Sequence, residues 1–245
     1  MQPQPAQSLL RTPPELRGMA ETCIEIAGTA AVLDPAGALW LAQTRTLVVA
    51  DLHLEKGSAF ARRGMMLPPY DSGTTLAALA ELVTRRDPRR VLCLGDSFHD
   101  AAGFARLAEA DRRRVATLQR GREWIWVTGN HDPELPPGSG GDVLAEIQVE
   151  GLTFRHEPRA AAAPGEVAGH LHPSAKIRGP GRSVRCRAFA TDGIRMVLPA
   201  FGVLAGGLNV LDRAFAPLFA GEALRPILIG RGRLFPVAFS ALAPD

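Results

Sequence analysis

The sequence predicts an α/β sandwich, in which α-helices pack over two β-sheets within a single domain. Two observations support this fold class. Short apolar runs bounded by Gly, Pro and Asp recur along the chain, and a few segments between them have helical periodicity. We find no internal repeat and no domain linker, and 245 residues are enough to bury a core without disulfide bonds.

The first half of the chain predicts strands followed by a helix. Four apolar runs read as strands, namely CIEIAG, TAAVLDP, GALWLAQ and TLVVAD. A helix is predicted over residues 72–86, because Leu76, Leu79 and Leu82 share one helical face and Pro88 follows the end of the pattern. VLCLGD then predicts a buried strand, and the Arg-rich segment 101–120 predicts a second helix.

The second half predicts mainly strands. EWIWVTGN is read as a strand, followed by a Pro- and Gly-rich loop over residues 133–141. Further strands are predicted in VLAEIQVEGLTFRHEP, EVAGHLHP, FATDGIRMVLPAFGVLAGGLNV and PILIGRGRLFPVAF. Within the third of these, LPAFGVLAGGLNV predicts a buried strand and a Gly-rich turn, which serve packing or hold a phosphate.

Composition limits the class of protein. Residues 1–20 are Pro-rich and predict a loose extension before a domain over residues 21–240; no signal peptide or membrane-spanning run is evident, which predicts a cytoplasmic protein without membrane contact. The formal net charge of +3 does not by itself indicate a nucleic acid partner. Cys23 and Cys93 lie in apolar runs and are expected to be buried free thiols.

The six histidines occupy short polar clusters that each follow an apolar run. In chain order the clusters are ADLH ending at His53, GDSFH ending at His99, GNHD around His131, RHEP at His156, and GHLH with His170 and His172. In an extended chain, residues i and i+2 point to the same side, so Asp51 and His53, or the two histidines of GHLH, can bind one ion together. Such ligands suit Mn²⁺, Fe²⁺ or Zn²⁺. Each cluster alone is also compatible with hydrogen-bonded structural residues.

The ordered set of clusters resembles the calcineurin-like metallophosphoesterase superfamily. That resemblance implies a sandwich of two mixed β-sheets flanked by α-helices, with two divalent metal ions. It assigns the ligands as Asp51, His53 and His172 for one ion, Asn130, His156 and His170 for the other, and Asp96 between both. It also implies that His131 binds no metal and protonates the leaving oxygen of a phosphate ester.

Longer strings narrow the resemblance. GDSFH is similar to the GD-x-F-H pattern of double-strand-break repair nucleases, which makes His99 either a residue that positions a phosphodiester or a structural histidine. The strings ADLHLEKG, RRGMMLPPYDSGTTL, TGNHD, AGHLHP and LPAFGVLAGGLNV are similar to the ligase-associated DNA damage response endonuclease family, PdeM. That resemblance implies DNA repair, in association with an ATP-dependent DNA ligase, an exonuclease and a helicase.

The sequence therefore predicts a phosphodiesterase or endonuclease that acts on DNA with two divalent ions, most simply Mn²⁺, with Fe²⁺ or Zn²⁺ as alternatives. One alternative is a small-molecule phosphodiesterase or phosphatase, for example for cyclic nucleotides. A second is a scaffold subunit of a ligase complex with structural metals, which the unliganded His131 opposes. Several basic residues follow the clusters and either surround the metals or are solvated loop charges: Lys56, Arg62, Arg63, Arg178, Arg182, Arg185 and Arg187.

Overall fold

Two β-sheets face each other across an apolar core in the computed structural model of the chain, which describes residues 20–68, 70–136, 138–179 and 182–245. Residues 1–19, nearly all of the predicted extension, lie outside the described residues. The core between the sheets joins side chains such as Val48 and Leu92 of the first sheet to Phe154, Val167 and Phe189 of the second.

Within the described ranges, the first sheet has seven strands in chain order. They are β1 (Thr22–Ile26), β2 (Thr29–Asp34), β3 (Ala38–Leu41), β4 (Thr46–Ala50), β5 (Arg90–Leu94), β6 (Glu123–Val127) and β7 (Asp142–Leu144). Strands β1 to β4 pair antiparallel, whereas β4 to β7 pair parallel. Strands β3 to β6 are covered on both faces, which explains their continuous apolar runs.

Among the described residues, four α-helices connect the parallel strands and cover the outer face of this sheet. They are α1 (Lys56–Ala61), α2 (Asp71–Arg86), α3 (Gly103–Arg106) and α4 (Glu109–Gln119). The helix predicted over residues 72–86 is confirmed as α2. The single helix predicted over residues 101–120 is wrong, because Leu107 and Ala108 are extended and separate α3 from α4. The side chain of Leu107 enters the core at this break.

The second sheet contains the remaining strands. They are β8 (Glu146–Val149), β9 (Leu152–Arg155), β10 (Glu166–Ala168), β11 (Pro173–Gly179), β12 (Arg182–Thr191), β13 (Met196–Val197), β14 (Leu208–Asn209), β15 (Arg225–Gly230), β16 (Arg233–Pro236) and β17 (Leu242–Ala243). Both parallel and antiparallel pairs occur, so the predicted class of two mixed sheets with helices is confirmed. The outer face packs against Phe215, Leu218 and Phe219 from a turn-rich segment.

Two local predictions are corrected. Residues 198–207 of LPAFGVLAGGLNV form no strand; instead, Phe201 donates a backbone hydrogen bond to Ala50, the last residue of β4, and Gly202 donates one to Asp51, the residue after it. Cys23 is exposed because it lies on the outer edge strand β1, while Cys93 is buried as expected. Among the described helices, none is long and apolar enough to span a membrane.

Candidate metal centre

The histidine clusters converge where the carboxyl ends of parallel strands meet. In the first sheet, Asp51 follows β4, Asp96 follows β5 and Asn130 follows β6. In the second sheet, His156 follows β9, and His170 lies two residues beyond the end of β10. Because neighbouring parallel strands end at the same edge, their loops share one site, which here lies between the two sheets.

A first group of ligand atoms comprises Asp51, His53, Asp96 and His172, whose donor atoms all lie within 4.8 Å of one another. The Nε2 atoms of His53 and His172 are 3.1 Å apart. His172 Nε2 lies 3.3 Å from a carboxylate oxygen of Asp51, and His53 Nε2 lies 3.9 Å from one of Asp96. Three of these residues are buried.

A second group comprises Asp96, His156 and His170, and Asn130 joins it through its amide oxygen. His156 Nε2 lies 2.9 Å from Asn130 Oδ1, 3.2 Å from His170 Nδ1 and 3.4 Å from a carboxylate oxygen of Asp96. Asp96 is therefore common to both groups. The seven residues that the sequence singled out as ligands lie together in the structure.

The donor chemistry of these groups fits metal cations. His156 Nδ1 donates a hydrogen bond to the carbonyl oxygen of Leu94, 3.0 Å away, so its Nε2 presents a lone pair to the oxygens around it. Lone pairs converging at about 3 Å repel one another unless a cation lies between them. Burial, with smaller effects from neighbouring histidines, lowers the pKa of His53 to about 2, and burial also lowers the pKa of His170. Neutral imidazoles are the form that binds metal.

Five of the candidate ligands have left-handed backbone conformations, with φ between 44° and 70°. They are Asp51, His53, Asp96, His170 and His172. This region is unfavourable for residues other than Gly, and such strain clusters at functional sites in proteins. The ligand pairs Asp51/His53 and His170/His172 therefore do not follow the alternation of an extended strand. His170 and His172 fall into different groups, which is the division that the family resemblance implies, although their spacing alone would also allow them to bind one ion.

Glycine allows the loops to approach this closely. A Cβ built at Gly95 would lie 2.3 Å from the His156 ring, and one at Gly129 would lie 2.2 Å from the backbone nitrogen of Asp96. Gly95 also has a φ of 71°. These two glycines bring the loops after β5 and β6 into contact with the centre.

His131 stands beside the two groups. Its backbone nitrogen donates to a carboxylate oxygen of Asp96 at 2.9 Å, and its Nδ1 donates to the carbonyl oxygen of His99 at 2.8 Å. The ring is partly exposed, and its Nε2 lies 3.9 Å from the Asp96 carboxylate. His99 stacks on it with ring centroids 5.1 Å apart. Burial lowers the pKa of His99, and electrostatic repulsion from His131 lowers it further.

Two further residues support this arrangement and were not predicted to do so. Asp132 is buried and accepts backbone hydrogen bonds from Phe98 and Gly129, both at 3.1 Å, which ties the loop after β5 to the loop after β6. Asp132 is the last residue of the GNHD string, so the sequence motif could have indicated that it belongs to the site. Phe60 of α1 packs its ring 5.5 Å from the His99 ring, and no sequence pattern indicated this contact.

The basic residues that follow the histidine clusters in the sequence lie in two regions of the structure. Lys56 begins α1, and the exposed Arg62 and Arg63 follow that helix. The others belong to the hairpin formed by β11 and β12, which follows directly after His172. They therefore lie on strands and not in a loop.

Comparisons with known proteins agree with this geometry. The family model described as calcineurin-like phosphoesterase matches residues 44–193. The crystal structure of a nuclease, MPE of Pseudomonas putida, superposes with a TM-score of 0.67 and 26% identity, covering 89% of this chain and 100% of that chain. YfcE, a phosphoesterase from E. coli, is 15% identical over 79% of this chain and 98% of that chain, with a TM-score of 0.39 that carries no weight. A search of curated protein sequences finds no match to this chain.

Proposed function

The chain belongs to the calcineurin-like phosphoesterase family, whose members are metal-dependent phosphoesterases, and from this premise we propose that it is a dinuclear phosphodiesterase that cleaves DNA. The observation that carries the proposal is the meeting of two ligand groups at Asp96, with the unliganded His131 beside them. A structural metal site needs ligands only, whereas a hydrolytic site also needs a group that handles a proton.

In this proposal the two groups hold two divalent ions. Asp51, His53 and His172 would hold the first, Asn130, His156 and His170 would hold the second, and Asp96, which is common to both groups, would serve each. Two such ions would polarise a phosphate ester and activate water for attack. The mixture of carboxylate, imidazole and amide donors favours Mn²⁺, with Fe²⁺ or Zn²⁺ as alternatives.

His131 is the proposed general acid. Because its Nδ1 donates to the carbonyl oxygen of His99, Nε2 is the atom left to face a substrate. In the protonated imidazolium, Nε2–H transfers its proton to the leaving oxygen as the P–O bond breaks, so that an alcohol departs and a neutral imidazole remains. The backbone contact between His131 and Asp96 keeps this ring beside the metal ligands.

His99 is proposed to position the phosphodiester and the His131 ring. Stacking against His131 and the ring contact with Phe60 limit the orientations of its imidazole. The carbonyl oxygen of His99 also fixes the tautomer of His131.

DNA is proposed as the substrate because of two features. The GDSFH string is similar to that of repair nucleases, and the Pseudomonas putida protein that this chain resembles is a nuclease. The similarity to ligase-associated endonucleases further suggests a repair role. Association with a DNA ligase, an exonuclease and a helicase, and a cytoplasmic location, stay predictions from the sequence.

The first prediction concerns His131. Replacing it by Asn keeps a polar side chain but removes the proton donor, so we expect turnover to fall about 10²- to 10⁴-fold while both ions stay bound. The measurement is hydrolysis of bis-p-nitrophenyl phosphate and of single- and double-stranded DNA with added Mn²⁺, together with metal content of the wild type and His131→Asn.

The outcomes separate the alternatives. Cleavage of both substrates, lost in His131→Asn, supports the proposal. Hydrolysis of the model ester without DNA cleavage favours a small-molecule phosphodiesterase or phosphatase. Absence of turnover in the metal-loaded wild type contradicts catalysis and favours the scaffold.

A further inference from the structure

The hairpin of β11 and β12 has two chemically different faces. Cross-strand partners share a face, and the register pairs Lys176 with Arg185 and Arg178 with Ser183. The side chains of these four residues therefore project to the same side. The opposite side holds Ile177 and its neighbours, and its lower part packs against the core outside the second sheet.

The polar side, which we call the cationic face, consists of Ser174, Lys176, Arg178, Ser183, Arg185 and Arg187. Two of its cations are already engaged: Arg185 pairs with Asp245, and Arg187 donates to the carbonyl oxygen of Ala200. Within the part of the chain that the structure describes, Lys176 and Arg178 form no ion pair. Two positive charges on this face are therefore available to an external anion.

The cationic face is continuous with the metal centre. Strand β11 begins at the residue after His172, and Arg185 donates to the carbonyl oxygen of Gly207 at 2.6 Å. The same segment, residues 198–207, hydrogen bonds through Gly202 to the carbonyl oxygen of Asp51. Leu208, which follows it, donates to the carbonyl oxygen of His172. One segment thus borders both the first ligand group and the cationic face.

The distance from the metal centre to Lys176 and Arg178 indicates how long a ligand must be to contact both. With a rise of about 3.3 Å per residue, Lys176 lies about 13 Å and Arg178 about 20 Å along the chain from His172. A single phosphate ester bound at the metal centre cannot reach so far. A polymer can, because phosphates of one DNA strand recur about every 3.4 Å along the helix axis.

We infer that Lys176 and Arg178 bind backbone phosphates of a nucleic acid strand several nucleotides away from the bond that is cleaved. This inference rests on the proposed function and adds a separate binding surface to it. The hairpin contacts phosphates and not bases, so it raises affinity for any sequence.

The chain offers a matched control. Arg182 is exposed on the same hairpin but shares its face with Ile177, and it forms no ion pair among the described residues. Changing it removes the same charge from the same element on the opposite side.

The test compares Lys176→Gln/Arg178→Gln with Arg182→Gln, each in the His131→Asn background with Mn²⁺ so that the strand stays intact. Fluorescence anisotropy of a labelled oligonucleotide about 20 nucleotides long gives Kd as a function of salt. We expect the double variant to bind on the order of tenfold more weakly at low salt, with a salt slope smaller by about 1.4 to 1.8, and Arg182→Gln to bind normally. With His131 intact, all variants should hydrolyse bis-p-nitrophenyl phosphate at the wild-type rate.

Unchanged Kd and salt slope in the double variant would overturn the inference, as would an equal loss in Arg182→Gln. A loss of model-ester hydrolysis in the double variant would overturn it as well, since the two side chains would then act on the metal centre. Failure of the wild type to hydrolyse the model ester is a different result. It contradicts the proposed function, but the Kd values of the double variant and of Arg182→Gln for the oligonucleotide still decide whether the hairpin binds phosphates.

Discussion

Asp96 connects the two ligand groups through its two carboxylate oxygens. One oxygen lies 3.4 Å from His156 Nε2 and accepts the backbone hydrogen bond of His131, while the other lies 3.9 Å from His53 Nε2. If two ions bind as proposed, a carboxylate shared by both would couple them, because its removal would take a negative ligand from each. The outer histidines serve one group each, so the residues should differ in how many ions their loss affects.

The second prediction is a difference in metal content. His172→Ala should bind about one ion per chain and His170→Ala should also bind about one, whereas Asp96→Ala should bind less than one. Elemental analysis after gel filtration in Mn²⁺ measures this ratio, with the wild type expected to carry two ions. The assignment of Asp96 to both ions would be wrong if Asp96→Ala retained as much metal as the histidine variants.

Residue types and their order were enough to indicate all seven candidate ligands, because aspartate, asparagine and histidine after apolar runs have a recognisable chemistry. Their conformations could not be predicted. Asp51 and His172 have left-handed backbone conformations, which are uncommon for residues other than Gly and which contacts with distant loops help to stabilise. For Asp51, one such contact is the backbone hydrogen bond that His170 donates to its carboxylate.

At the scale of elements, two glycines in the loops next to the parallel strands have different roles, one after β5 and one between α4 and β6. Gly95 and Gly121 have nearly the same positive φ, 71° and 72°. A Cβ at Gly95 would collide with the His156 ring, whereas one at Gly121 would meet no atom within 4 Å. A substitution at Gly121 would therefore cause backbone strain alone, whereas one at Gly95 would also displace the candidate ligand His156.

The third prediction compares Gly95→Ala with Gly121→Ala. Both should lose about 1–2 kcal/mol of unfolding free energy from the left-handed conformation. Only Gly95→Ala should also lose metal from the second group and phosphodiesterase activity, because the added methyl group pushes His156 away. Chemical denaturation and metal titration measure the two effects. Equal metal affinity in both variants would contradict the role of Gly95 as the space for His156.

Helix α1 was not predicted because it has six residues and no apolar periodicity. Tertiary contacts hold it in place instead: the backbone nitrogen of Gly57 donates to the carboxylate of Asp71, and Ser72 hydrogen bonds to Glu55. The longer α2 has a clear apolar face and was predicted within one residue of its start. Short helices thus depend on partners that local sequence does not reveal.

At the scale of the whole molecule, fold class followed from alternating strands and helices, but the pairing of the sheets did not. Val143 lies in β7 of the first sheet, and Glu146 begins β8 of the second. One continuous stretch of sequence is therefore divided between the two sheets. Which sheet a strand joins depends on long-range packing. The consequence is that the candidate ligands come from both sheets, with Asp51 after β4 and His156 after β9.

The last prediction follows from this division of ligands. In the proposed centre, ions held by ligands from both sheets would bind only the folded chain and would stabilise it by RT ln(1 + [L]/Kd), about 2.7 kcal/mol for each site at a hundredfold excess over Kd. Two such sites contribute about 5 kcal/mol, so for a chain of this length we expect EDTA to lower Tm by about 10–20 °C, since each kcal/mol corresponds to about 2–4 °C. Asp96→Ala, which lacks the shared ligand, should show a much smaller change on chelation. Calorimetry with and without Mn²⁺ measures both, and equal Tm values for the wild type in Mn²⁺ and in EDTA would mean that the ions do not connect the two sheets.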